Sequence, residues 1–523
     1  MPIRMSGLIS NLDTDSIIKE LMKAQSTKKT KIQNKITKTE WTQEKWKELN
    51  TKIYSLYTGS ISKLKTQGSY STKKATSSNE SKVSVSASMN AVNGSHSVKV
   101  NQLASAQYLT GNKVTAKDGT AVKGTTKLAE LGGSNNSDSS IIGTVINFST
   151  QDKSYSLTVT EETTVNDFVN AAKKAGITAS FDTNQSRFFL SSSSSGIQNA
   201  FSITTSTTGE NTTLATNSLS SLGLTTVNAV IDATNNEVIY DIADSSVSII
   251  KAANSEIEYN GAKLTGTTNT ITANGLTFNV HGVTQGETIS LTVANDTQAV
   301  YDTIKQFIKD YNEVLKEMNT LYDAESAKGY DPLTDEEKEA MSEDQIEKWE
   351  KKIKDSLLRR DNTLSSLISS MKNTMMGSVS YNGKSYALSI FGIGTKDYTE
   401  KGLLHIDGDP DDSDTSINQD KLKKALEEDP EAVMKTLSTL VGNLYADLTD
   451  KMKSTTLSSA LTLYNDKELD KNIKNYKSDL SDMEDRLKTL EDRYYKQFSA
   501  MEVAMAKLNS QTSALSSFMG TNY

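Results

Sequence analysis

The chain has 523 residues, with 57 Lys and Arg against 65 Asp and Glu and a formal net charge of −8; this argues against a general nucleic-acid binder, whose footprint is basic. Cysteine is absent, which excludes disulfides, thiolate zinc sites and thiol nucleophiles. The length predicts several domains, because single cores stop growing at about 250 to 300 residues. No window approaches the ~20 apolar residues of a membrane-spanning helix. Residues 1–15 hold one arginine, with neither the apolar segment nor the small-residue cleavage site of a secretory signal. Composition thus predicts a cytoplasmic protein, or one exported by a route that reads another signal.

Near the start, Asp13 and Asp15 are candidate caps for a helix. Apolar residues then recur at helical spacing through Ile17, Ile18, Leu21, Met22, Ile32, Ile36, Trp46, Leu49, Ile53, Leu56, Ile61 and Leu64. Between Lys23 and Lys38 the helix is polar and lysine-rich, so its order is expected to depend on docking. With neither interleaved aromatics nor a glycine-rich phosphate loop, the basic face reads as a solvated surface that complements acidic partners.

Past Gly68, and on to about residue 297, serine, threonine, asparagine and glycine dominate and the apolar residues alternate. Val83, Val85, Ala87 and Met89 share one strand face, Asn93-Gly94 is expected to form a tight hairpin turn, and Val98 and Val100 return on the far strand. Asn260-Gly261 and Asn274-Gly275 carry the same signal, predicting antiparallel strands with one wet face. A unit of different rhythm interrupts them. Val145 to Phe148 and Tyr155 to Val159 read as strands, Thr164 caps a helix that ends at Gly176, and Ile177 to Phe181 with Arg187 to Leu190 read as a second strand pair. This β-β-α-β-β unit is expected to be a domain inserted in a loop of the other.

Helical rhythm resumes at Val300, Ile304, Phe307, Ile308, Tyr311, Val314, Leu315, Met318 and Leu321. An acidic link containing Pro332 leads to a second run through Ile346, Trp349, Ile353, Leu357, Leu364, Leu367, Ile368 and Met371. A hairpin turning at Asn382-Gly383, the acidic loop from Asp407 to Asp414, and helices around Leu422 to Leu426 and Val433 to Leu444 follow. The chain closes on a seam of Ile473, Tyr476, Leu480, Met483, Leu487, Leu490, Tyr494, Phe498, Met501, Met505 and Leu508, then the polar Thr512, Leu515 and Met519. Spacings of three and four mark a coiled coil, with one stutter at Leu490, Tyr494 and Phe498. A rod of that length cannot bury its own seam and must find partners in this chain or another copy. The predicted fold is multidomain α+β: long terminal coiled-coil helices and a helical bundle, with nested antiparallel β-rich head domains inserted between them. The expected boundaries are 1–42 and 473–523 for the terminal legs, 43–68 and 297–472 for the bundle, 69–131 and 250–296 for the first head domain, and 132–249 for the outer one.

Several stretches resemble the flagellar filament cap family, also called hook-associated protein 2. They are Gly7-Leu8 through Leu12-Asp13 with Ile17, Ile18, Leu21 and Met22, then Tyr70-Ser71 through Val83-Ser84-Val85 to Gly94 and Val98 to Ala104. Tyr259-Asn260-Gly261 with Thr268 to Ile271 and Gly286 to Leu291 is a third match, and Arg493 to Met501 with Leu508 to Gln511 is the strongest. The resemblance implies a non-enzymatic structural protein without cofactors, served by an export chaperone, exported unfolded through the flagellar type III apparatus, and placed outside the cell at the filament tip. There it would form a homo-oligomer, a pentamer in most members of the family, that promotes flagellin insertion and prevents loss of exported monomer. The expected oligomer and flagellin interface is Leu480, Met483, Leu487, Leu490, Tyr494, Phe498, Met501, Met505 and Leu508, with Ile17 and Leu21. Another axial flagellar protein (a junction component or a flagellin) and a tip adhesin binding a host glycan are the alternatives.

Catalytic and metal readings have little support. His96, His281 and His405 are far apart and none has a helical HxxxH neighbour. Asp407, Asp409, Asp411 and Asp414 resemble the start of a calcium loop but lack its glycine and closing glutamate, so a solvated acidic loop is expected. The serine run from Ser191 to Ser195 lacks a nucleophile elbow. Glu161-Glu162 and Glu427-Glu428 are adjacent in sequence and point different ways on regular structure.

Overall fold

The computed structural model describes residues 13–132, 141–207, 219–232, 234–235, 237–243 and 247–520, so the motif from Gly7 to Leu12 lies outside the described residues. The chain divides into two compact units: Met1–Tyr70 with Thr297–Tyr523, and Ser71–Asp296.

In the helical unit the N-terminal helix runs Thr14–Leu56, capped by the Asp13 carboxylate, which accepts from the Ser16 backbone N–H. Leu56 is followed by one wide turn, Tyr57–Ile61, around Gly59, whose backbone leaves helical geometry. Trp46, Leu49, Ile53 and Leu56, spaced three and four apart, enter the core against the helices Thr297–Tyr322, Asn362–Met375 and Pro430–Lys451, through Ile304, Phe307, Tyr311, Leu367, Met371, Leu437 and Leu444. Tyr464, just ahead of the C-terminal helix Asp466–Met519, stacks on Trp46 with ring centroids 5.6 Å apart. The expected single run from Ile346 to Met371 is two helices, Glu343–Asp355 and Asn362–Met375. Arg360 stands at φ 57° between them and Asp361 caps the second through the Leu364 N–H, so the chain turns where apolar periodicity alone implied continuity.

The strand-rich unit holds two principal cores. The first is a sandwich. One sheet orders Lys73–Ser77, Ile289–Asn295, Gly94–Gln102, Ser255–Tyr259 and Ala262–Gly266; the other orders Thr270–Ala273, Leu276–Val280 and Val83–Ala87. Alternate residues Val83, Val98, Ile257, Phe278 and Leu291 fill it. Asn260-Gly261 and Asn274-Gly275 make two-residue hairpins with φ of 48° and 85°, and 50° and 76°. Asn93-Gly94 does not. Val83–Ala87 and Gly94–Gln102 belong to different sheets, and only Gly94 takes a positive φ, while Lys73 Nζ holds the Asn93 amide oxygen at 2.8 Å. Lys73 Nζ also donates to the Asn295 amide oxygen at 2.7 Å, and Asp296 N–H donates to Thr72 C=O at 2.8 Å, so the strands that enter and leave this unit are neighbours.

The second core gathers on the helix Val165–Lys174, started by a Thr164–Asp167 capping box and followed by Gly176 at φ +84°. Its Phe168 lies 5.1 Å from Phe148 and 4.9 Å from Phe188, between a five-stranded and a four-stranded sheet. The two expected strand pairs are present, one pair in each sheet. The boundary differs from expectation. Leu109, Val114, Val122, Leu128 and Leu131 are buried in this second core, and Tyr108–Thr110 pairs with Arg187–Ser191 and Ser248–Ile250. Residues 108–131 therefore pack with the inserted layer and not with the first sandwich, because their apolar side chains face Phe188 and Leu190.

Candidate interface on the terminal helix pair

The C-terminal helix has 54 residues and no glycine or proline before Gly520, which makes it ~80 Å long at ~1.5 Å per residue. It pairs antiparallel with the N-terminal helix. The cross-contacts step down one helix as they step up the other: Asn50 with Leu463, Gln43 with Asp470, Lys477 with Glu40, and Lys29 with Glu484 at 2.9 Å. Lys35 Nζ lies 5.6 Å from the Tyr476 ring centroid. The lysine-rich stretch is thus helical throughout and docked on its own chain. Exposed ion pairs of this kind contribute ~0 to 1 kcal/mol each and fix register more than stability.

The apolar seam is only partly covered. Leu480, Met483, Leu487, Leu490, Tyr494, Phe498, Met501 and Met505 are all half-buried. Leu508 is 61 % exposed, and Val503 and Leu515 are each 64 % exposed. On the N-terminal helix, Ile17 and Leu21, expected at the oligomer and flagellin interface, stand 38 % and 39 % exposed. Thr14 and Ile18 are the buried residues there, and Glu502 is buried on the opposite helix. Ile18 was visible in the periodicity, one position beside Ile17; the sequence carries no signal for Thr14 or Glu502.

A groove of about 840 Å³ lies elsewhere in the helical unit, between the helix Thr297–Tyr322 and residues 403–413. Its chemistry is structural. The acidic loop is exposed at Asp411 and Asp414, as expected, and also knitted by ion pairs: Lys305 bridges Asp409 and Asp411, Lys421 meets Asp407, Lys396 meets Asp414, and His405 sits between Glu400 and Asp412 at 2.6 Å each. Burial lowers the affinity of Lys305 for its proton, yet the two carboxylates outweigh it and raise its pKa. Burial likewise pushes Asp412 up, but the hydrogen bond and charge of His405 leave it below its ordinary 3.8. Among the described residues no group of His, Asp or Glu is arranged to hold a metal ion, and no helix is long and apolar enough to cross a membrane. His96 bonds to Tyr259 and His281 to Ser84.

A long, incompletely covered helix pair continuous with a bundle, with strand-rich layers inserted between the two helical halves of the sequence, is the architecture of a multidomain structural protein. The family models for the flagellar hook-associated protein 2 N-terminus and C-terminus match residues 10–107 and 252–510. The chain belongs to the flagellar hook-associated protein 2 family, the filament cap proteins, which act outside the cell at the tip of the flagellar filament. It is 26 % identical to flagellar hook-associated protein 2 of Halalkalibacterium halodurans over 99 % of this chain and 100 % of that one. It is 25 % identical to the B-type flagellar hook-associated protein 2 of Pseudomonas aeruginosa over 87 % and 85 %. The crystal structure of the D1-D2-D3 domains of the flagellar cap protein FliD from Escherichia coli shares the fold, with a TM-score of 0.50 at 20 % identity over 79 % of this chain and 97 % of that one. Residues 108–251 lie between the two family models.

Proposed function

We propose that the terminal helix pair is the grip of the cap and that the strand-rich unit confines the exported subunit. The half-covered seam from Leu480 to Met505, continued by the exposed Leu508 and Leu515, is the observation that carries this reading. Knobs of this kind fit generic holes, so one helix can exchange partners between a neighbouring copy and flagellin without losing apolar contact. Ile17 and Leu21, on the open flank, would take part from the other helix. The oligomer is a homo-oligomer, a pentamer by family resemblance, delivered by an export chaperone through the type III apparatus. Deleting residues 473–523 from the full chain is expected to leave soluble protein that does not restore filament growth in a cap-deficient strain. Growth with the truncated protein would refute the grip.

One observation also favours a surface-binding role. Tyr108, Ile250 and Phe189 stand 48 %, 55 % and 39 % exposed. Tyr108 is paired with Ile250, and Thr110, two residues on, with Phe189, so the three share one sheet face with serines and threonines between them. Aromatic and apolar groups set among hydroxyls suit a host glycan. Loss of glycan-array binding in Tyr108→Ala with Phe189→Ala tests this; equal binding by that variant and the parent would rule the face out.

A further inference from the structure

The outward side of the N-terminal helix carries an unbalanced charge. From Thr14 to Thr39 there are seven lysines against Asp15 and Glu20. Lys29 and Lys38 find Glu484 and Asp331, and Lys35 lies over Tyr476. Lys19, Lys23, Lys28 and Lys31 are exposed and form no ion pair among the described residues. Lys19, Lys23, Thr27 and Lys31 follow at intervals of four, so they line one ridge, ~18 Å long at ~1.5 Å per residue. Like charges at this spacing repel one another and weaken a helix. The helix therefore bears a cost that an acidic partner would remove.

The same unit has an excess of the opposite sign. The helices Asp335–Glu339 and Glu343–Asp355 lie beside this helix beyond the ridge, tied to it by Lys38 with Asp331 and by Lys354 over the Trp41 ring. After the ion pairs of Asp344 and Glu350 are formed, Asp335, Glu336, Glu339, Glu343 and Glu347 remain exposed with no cation paired to them among the described residues. Within one molecule, no ion pair among the described residues joins the ridge to this patch.

We infer that the lysine ridge of one copy docks on the acidic Asp335 to Glu347 patch of the next. The two surfaces are different, so the contact is head-to-tail and repeats from copy to copy until a ring closes. This rests on the oligomeric cap reading and assigns that oligomer a salt-sensitive contact outside the apolar seam.

The test uses the full-length chain in sedimentation velocity, at about 50 mM and about 500 mM salt. Lys19→Glu, Lys23→Glu and Lys31→Glu together, or Glu336→Lys, Glu339→Lys, Glu343→Lys and Glu347→Lys together, are expected to weaken association about tenfold at low salt and little at high salt. Combining both sets is expected to restore it, which also shows that neither set acts by unfolding the chain. Unchanged association in each set, or no recovery in the combination, overturns the contact while leaving the cap oligomer intact. If the lysine set abolishes filament growth but not association, the ridge faces the filament and the assignment to a second copy is overturned. A parent protein that sediments as a monomer in all conditions overturns this contact and the oligomeric reading together.

Discussion

Gly261 and Gly275 occupy the same place in two hairpins of the same kind, yet the structure separates them. A Cβ at Gly261 would meet nothing within 4 Å, whereas one at Gly275 would lie 2.8 Å from the Ala91 backbone nitrogen. Alanine in a left-handed conformation costs about 1 kcal/mol. Gly261→Ala should lose about that much in denaturant unfolding and Gly275→Ala clearly more, because backbone cannot yield as a flexible side chain would. Equal losses would show that Ala91 moves freely. Both turns were legible as Asn-Gly pairs between alternating strands; Asn93-Gly94 carries the same letters but lies between strands of different sheets, and no dipeptide encodes which sheet a strand will join. The carboxylates of the helical unit give a pH prediction at this scale. The hydrogen bond from Lys401 holds Asp323 below its ordinary 3.8, helped by that lysine's charge and by Arg360, and Asp412 is depressed by His405 against the effect of burial. Groups that bind protons less readily when folded contribute stability that is complete above 3.8 and lost as pH falls through their folded values. The melting temperature of the helical unit should fall steeply below pH of about 4, and Asp323→Asn with Asp412→Asn should flatten that fall. A parent and variant with parallel profiles would contradict the assignment.

At the scale of elements, the terminal helices were readable from spacing alone, since heptad-like steps and the lack of Gly or Pro leave little else for such a run to be. Its partner was not readable. The N-terminal stretch from Lys23 to Lys38 looks too polar to pack, and its register is set by pairs such as Lys29 with Glu484 that lie far apart in sequence. The contrast between seam and bundle predicts two classes of variant. Trp46→Ala, in the bundle core at 3 % exposure, should cost ~3 to 5 kcal/mol by chemical denaturation. Leu487→Ser with Tyr494→Ser, on the half-covered seam, should leave the melting temperature nearly unchanged and abolish association in sedimentation. If the seam pair instead unfolds the bundle, those side chains are core and the proposed grip fails. The second class matters for function, because apolar surface that costs little to uncover is the surface available to others.

The whole molecule consists of two units with separate hydrophobic cores, each closed on itself. Calorimetry of the full chain should therefore resolve more than one transition, with the helical one alone lowered by Trp46→Ala. A single transition that shifts as one would mean the units are energetically fused. The order of helices, strands and helices along the chain announced this division, whereas the place where the inner sandwich yields to the second core did not show, because polar strands with interspersed apolar residues lie on both sides of the divide. The narrow stem at Thr72 and Asp296, where both crossings of the chain lie one hydrogen bond apart, makes the inserted portion a cassette. A foreign module whose own ends adjoin could be spliced there without threading through the bundle, so a lineage could remodel what the flagellum presents to its surroundings while its mooring stays the same.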